Sequence, residues 1–247
     1  MRTALALLPL LLAPFAAAQD QAYFDTAGTL VQCGSGPHLQ PDDGGSWIAL
    51  PDTQGFPLGA SVYLVGIGGG SVDPTCPGHG ADVTHFVLSA APVFDLLCGC
   101  DTAPPCPAAA SASPDHGCVN HAGLEGRLTY WGLPTVTPPP IWPLELRGDN
   151  LVPGQALVPF MGTSAPPVPF GNGLLCVGGA TWRLPLRAVE SWGAVSIDPF
   201  GETASLPPAA QLVPGSTWSF QLWYRDGGGA CRSSFNTTNA VQVTVFP

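Results

Sequence analysis

Residues 216–226, STWSFQLWYRD, alternate Trp218, Phe220, Leu222 and Tyr224 with Ser219, Gln221, Trp223 and Arg225. A period of two puts each set on its own face of a pleated strand, the more apolar set facing inward. NAVQVTVF (239–246) repeats the pattern, setting Val241, Val243 and Val245 against Gln242 and Thr244. ATWRLPLRAV (180–189) sets Trp182, Leu184, Leu186 and Ala188 against Arg183, Pro185 and Arg187. Pro185 has no ladder donor, which places that stretch at a sheet edge. Shorter strands are expected around 124–131, 143–148, 155–161, 173–177 and 194–198, so about eight strands with turn signals between them predict a sandwich.

The turn signals recur. LVPG occurs at 151–154 and 212–215, and FPLG at 56–59, each just before a strand-like run. Proline fixes φ and glycine supplies the positive φ that a tight turn needs, so three turns leading into strands are expected. With 31 Gly and 29 Pro in 247 residues, apolar residues at helical spacing are repeatedly interrupted, and each interruption is costly inside a helix. The expected fold class is all-β, in disulfide-stapled β-sandwich modules with very low helix content apart from the signal peptide. A hydrophobic fraction of 45%, only 10% charged residues and a mean hydropathy of +0.25 supply the burial that a disordered Gly- and Pro-rich chain lacks.

The first residues, MRTALALLPLLLAPFAAAQD, place Arg2 before an apolar run and end in an A-x-A site at Ala16 and Ala18, the pattern of a secretory signal peptide over 1–18. No later stretch is long and apolar enough to span a bilayer, so no transmembrane segment is expected after cleavage. Removal of Arg2 leaves six arginines against seventeen acids, a formal charge of −11. Such a chain repels a phosphate backbone, which excludes nucleic acid as a partner. The expected location is secreted or cell-surface. The expected organisation is an N-terminal small β module at 19–97, a Cys/Pro/Ala-rich stapled linker at 98–115 and a C-terminal β-sandwich module at 116–247.

Eight cysteines, an even number in an exported chain, argue for disulfides. Assigning each pair within its own module gives Cys33–Cys76 and Cys176–Cys231, with Cys98 and Cys100 joined to Cys106 or Cys118. Cys98, Cys100, Cys106, His116, Cys118 and His121 also form a concentrated set of metal-ligating residue types, the alternative reading being zinc. Their spacing matches no zinc pattern, and an oxidising compartment favours cystine, so no metal and no cofactor are expected.

Catalytic signals are sparse. Glu125, Glu145, Asp149, Glu190, Asp198, Glu202 and Asp226 are spread singly over turns and strand ends, where a glycosidase would need two acids facing one bond. Asp42-Asp43 in PDDGG and Asp226 in RDGGG lie in acidic glycine turns without the D-x-D-x-D-G calcium pattern. Asn236-Thr237-Thr238 is a glycosylation sequon. Trp131, Trp142, Trp192 and Trp223 fall on outward strand positions or in loops, and flat exposed aromatic rings suit sugar stacking.

GCVN (117–120), PFGNGLLCVGG (169–179), the Pro214-Gly215 turn followed by FQLWYRD (220–226), and the run from Cys231 through Phe235-Asn236 to Asn239 resemble a cysteine-containing module of exported proteins of planctomycete-like bacteria. The similarity spans roughly residues 98 to 247, and 19–97 is similar to the β segments that precede such modules. The resemblance implies a secreted, disulfide-bonded β module and carries no catalytic residues onto this chain. Members tend to show a C-P-C-G-N run before the GC motif, where this chain has CGCDTAPPCP (98–107), and that departure leaves the local cystine pairing open. The expected function is a non-catalytic secreted or cell-surface protein with a structural or adhesive role. A carbohydrate-binding module using the four exposed Trp residues is the alternative, and a metal-binding or hydrolytic protein built on residues 98–121 the second. The partners expected are extracellular polysaccharide or surface proteins.

Overall fold

The three turns form as expected. The carbonyls of Val152, Val213 and Pro57 accept from the N–H groups of Gln155, Ser216 and Ala60 at 3.3, 2.9 and 3.1 Å. Gly154, Gly215 and Gly59 sit at φ of 71°, 82° and 85°, the left-handed region that a side chain resists. A computed structural model describes residues 21–34, 36–69, 76, 79–101, 104–136 and 142–247. The signal peptide expected over 1–18 lies outside the described residues.

The N-terminal strands are β1 (Gln21–Cys33), β2 (Gly36–Pro41), β3 (Trp47–Ala49), β4 (Ser61–Gly69) and β5 (His79–Ser89). They close into a barrel in the order β1-β2-β3-β5-β4, antiparallel except for the β3–β5 pair. The small β module expected over 19–97 is a closed barrel because β1 serves two partners. Its first part pairs with β4 from Gln21 to Thr29 and its last part with β2 from Gly28 to Cys33, so five strands suffice to close the ring. Leu30, Leu39, Ile48, Val62, Leu64 and Leu88 fill the interior, and Cys33 is bridged to Cys76.

The remaining strands are β6 (Phe94–Leu97), β7 (Arg127–Trp131), β8 (Glu145–Asp149), β9 (Ala156–Phe170), β10 (Gly173–Arg183), β11 (Arg187–Ala188), β12 (Val195–Ile197), β13 (Thr217–Arg225) and β14 (Phe235–Thr244), with one five-residue helix α1 (Pro199–Thr203). One sheet runs β10-β9-β13-β14-β6 with β11 added on β9, and a second runs β12-β8-β7. Between them lies the main core. Leu128, Leu146, Val195 and Ile197 of the smaller sheet meet Leu157, Met161, Phe220, Leu222, Tyr224, Val241 and Val243 of the larger. Val65 and Val87 of the barrel join the same cluster beside Phe94, whose ring stacks on Tyr130 at 3.8 Å. The Tyr130 hydroxyl donates to Asp25 Oδ2, a polar link between barrel and sandwich.

Four expectations are corrected. First, the boundary at 97 is too late, because β6 is an edge strand of the sandwich, paired with β14 from Phe94 to Leu97. Second, 98–115 is no linker between modules. It is tied to the sandwich by the Cys98–Cys176 and Cys106–Cys231 bridges and folded back on the residues that follow it, with Cys100 N donating to His116 O and Val119 N to Ala109 O, each at 3.0 Å. Third, the alternation expected at 180–189 fails after Leu184. The strand breaks at Pro185, leaving Leu186 70% exposed while Leu184 stays buried. Fourth, the cystines are Cys98–Cys176, Cys100–Cys118 and Cys106–Cys231, so the Cys176–Cys231 pair is excluded, and among the links expected for Cys98 and Cys100 only Cys100–Cys118 is present. Cys98 follows directly on β6, which the sheet curvature carries to β10, whereas Cys231 lies in the loop between β13 and β14.

Two consequences can be measured. A Cβ on Gly148 would lie 2.5 Å from Leu222 Cδ1 and 2.9 Å from Val195 Cγ1, whereas one on Gly215 meets nothing within 4 Å. Gly148→Ala is therefore expected to lose about 2–3 kcal/mol by overpacking and Gly215→Ala about 1 kcal/mol by φ strain alone, read as urea unfolding. Joint Cys106→Ser and Cys231→Ser replacement opens a crosslink across 125 residues. The chain-entropy relation puts its cost at up to about 5 kcal/mol, read as a fall in thermal midpoint.

Candidate functional site

Two places gather functional-looking side chains. The first is a buried polar network around Asp226, the residue that follows β13. Its carboxylate is fully buried. Oδ1 accepts from His121 N at 2.9 Å and from His121 Nδ1 at 2.6 Å, and Oδ2 accepts from Asn172 Nδ2 at 2.9 Å and Asn236 Nδ2 at 3.3 Å. Facing an acceptor-only group, His121 Nδ1 carries the ring proton.

Each donor is itself tied down. Asn172 Oδ1 accepts from Cys231 N and Ser233 N at 3.1 and 3.0 Å, and Asn236 Nδ2 also donates to the carbonyl of Cys118 at 3.2 Å. Asn120 Oδ1 accepts from the N–H groups of Ala122 and Leu124, shaping the loop that presents His121. Farther along β14, Asn239 donates to Leu128 O and accepts from Leu128 N at 2.9 and 2.7 Å, as a neighbouring strand would. Burial pushes the phenol of nearby Tyr224 well above its ordinary range, and the Asp226 charge adds to the shift.

A histidine oriented by a buried carboxylate is the supporting half of a nucleophile-activating array. Among the described residues no hydroxyl or thiol is hydrogen-bonded to His121. The same carboxylate that orients the ring also receives three other donors from three segments, which is the geometry of a structural clasp. The four motifs quoted above all meet here: GCVN through Cys118 and Asn120, FGNG through Asn172, YRD through Asp226, and the FN-x-T-N run through Asn236.

The network corrects two readings. The sequon asparagine, Asn236, is fully buried with its amide engaged on Cys118 O and Asp226, so the folded chain has no room for a glycan there. The zinc ligand set is dismantled as well. Cys98, Cys100, Cys106 and Cys118 are all in disulfides, His116 Nδ1 bonds to Asp115, and His121 to Asp226. Among the described residues no group of three or more His, Cys, Asp or Glu is placed to hold a metal ion. Asp43 spends its carboxylate on Gly45 N at 2.8 Å, an ordinary turn bond.

The second place is on the opposite face of the large sheet. There Gln221 is fully buried, because β10 curls across it. Its amide donates to Leu174 O and Thr238 O, both at 2.7 Å, and accepts from Cys176 N at 3.2 Å. Two register shifts in the β9–β10 ladder, between Leu175 and Val177 and between Gly178 and Trp182, bend this roof away from the sheet. A cleft of about 270 Å³ is left beneath it. Phe160 and Val177 form its buried floor. Val158, Phe170, Leu175 and Trp223 form half-buried walls, and Thr181 and Arg183 stand exposed at the rim. The Trp223 ring is tilted against Phe235 at 5.7 Å, and the Arg225 guanidinium lies 5.3 Å from its centroid.

The four tryptophans singled out by sequence are thus dispersed. Trp223 walls the cleft. Trp131, 43% exposed, meets Trp142 edge-on at 5.9 Å, and Trp192 stands 72% exposed in the loop between β11 and β12. Alternation placed Trp223 on the outer face correctly, but Arg183 and the floor of the cleft were missed, since neither β9 nor β10 carries a pattern that announces a concavity. No protein-family model, curated protein or solved structure matches the chain.

The clasp predicts an asymmetric response to substitution. Asp226→Asn keeps the volume but turns an amide NH2 toward groups that are themselves donors. A loss of about 3 kcal/mol is expected in urea unfolding, with His121→Gln costing less, because the exposed edge of that ring is already solvated.

Proposed function

We propose that this chain is a non-catalytic, exported β protein that acts outside the cell by structural packing or adhesion. The observation that supports the reading is the commitment of its reactive groups to the fold: every cysteine is in a disulfide, and the His121–Asp226 pair closes a clasp. Four disulfides suit an oxidising compartment, and no helix of the described residues is long and apolar enough to cross a membrane. Trp192 projects from a loop closed by the Glu190 N to Ala194 O and Gly193 N to Glu190 O bonds, so a large apolar surface is held in water by a short rigid turn.

A carbohydrate-binding role is the second reading, favoured by Trp131, whose exposed ring is fixed edge-on by Trp142. The test applies folded protein to immobilised bacterial envelope fragments and to a panel of extracellular polysaccharides. Retention on envelopes that falls several-fold in Trp192→Ala, at unchanged thermal midpoint, is the expected result. Retention on one polysaccharide that is lost in Trp131→Ala moves the assignment to sugar binding, and absence of retention on every surface overturns both.

A further inference from the structure

The charge of the cleft is opposite to that of the molecule. The chain carries a formal charge of −10, and three arginines are matched to carboxylates: Arg127 to Asp115, Arg147 to Asp149 and Arg187 to Glu202. Arg183, Arg225 and Arg232 have no carboxylate partner among the described residues; Arg232 stands exposed in the loop between β13 and β14, whereas the other two stand at the cleft, one on its rim and the other over its Trp223 wall. Below them the lining is almost wholly apolar.

We propose that this cleft binds a small amphipathic carboxylate, its apolar body laid against Trp223 on the Phe160–Val177 floor and its charge met by Arg183 and Arg225. The inference is independent of adhesion through Trp192. Three features argue for it. An apolar floor beneath a cationic rim matches a ligand with one apolar and one anionic end. A guanidinium and a carboxylate form strong charge-assisted hydrogen bonds, stronger still at the edge of a water-poor cavity. The acidic remainder of the surface repels anions, so an anion is retained only where unpaired cations face it.

Volume sets the size. A cleft of about 270 Å³ lies just below the usual range for ligand sites, about 300–1,000 Å³. It takes a short acyl chain or a single aromatic ring, and excludes a polysaccharide strand or a folded partner. Gln221 and the Cys98–Cys176 bridge hold the roof in place before any ligand arrives, so little ordering accompanies binding.

The test is calorimetric titration of the full folded chain, disulfides intact, with octanoate, 4-phenylbutyrate, octylammonium and octanol. One equivalent of octanoate or phenylbutyrate is expected to bind at least about tenfold more tightly than octylammonium or octanol, and the stronger of the two carboxylates identifies the body as acyl or aromatic. Joint Arg183→Gln and Arg225→Gln replacement, at two exposed positions, is expected to remove that preference while leaving weak octanol binding unchanged. Thr181→Trp, placed at the exposed rim, is expected to block all four. Equal binding of octylammonium, an unchanged preference in the double variant, or no saturable heat from either carboxylate would overturn the proposal. None of these results bears on envelope retention.

Discussion

The sandwich depends on a carboxylate with no access to water. An ionised group at the position of Asp226 would cost several kcal/mol if left unpaired, so the surrounding segments must deliver their donors together: the 119–124 loop gives His121, the β9–β10 turn gives Asn172, and β14 gives Asn236. Three disulfides anchor the same end of the molecule. The crowding leaves little space for side chains on the intervening backbone. A Cβ on Gly117 would lie 2.7 Å from the carbonyl oxygens of Gly126 and Thr237, and one on Gly229 would intrude between Asn172 and Asp226. Glycines that look like low-complexity filler are therefore the positions at which the network is tightest.

The strands were legible because their signals are local. β13 and the second half of β14 show a period of two in sequence, and the turns before β4, β9 and β13 are written in Pro followed directly or one residue later by Gly. What escaped depends on distance along the chain. Nothing in FDLL (94–97) says that it pairs with the last strand, since its partner lies more than a hundred residues away, and nothing in the cysteine spacing says that Cys98 meets Cys176. Proximity in sequence is a poor guide to cystine pairing once strands reorder in a sheet. The barrel was missed for a related reason: closure depends on β1 pairing with two strands at once, a matter of register that composition does not carry.

The functional reading divided in the same way. The polar residues of the quoted motifs are spent on backbone groups, Asn239 on Leu128 and Gln221 on Leu174, Thr238 and Cys176. These amides satisfy ladder groups that would otherwise be buried without partners. The cleft, in contrast, is assembled from residues unremarkable in sequence, such as Val158, Leu175 and Val177. It arises because Gln221 pins the start of β10 to the sheet while the register shifts farther along carry the strand away, so the polar anchoring and the apolar cavity are two results of one bent hairpin.

The cystine pattern also bears on how the chain reaches this state. Cys98, Cys100 and Cys106 precede all three of their partners, and two of those partners, Cys176 and Cys231, follow by 78 and 125 residues. In a compartment that oxidises thiols in order of emergence, the nearest available partner for each of these three is another of the three, and none of those pairings is native. The native set forms only when β6 waits for β14, or when early bridges are later reshuffled by thiol exchange. Where oxidation outpaces folding, reaching the native pairing therefore requires thiol exchange, a demand that the consecutive Cys33–Cys76 bridge of the barrel does not make.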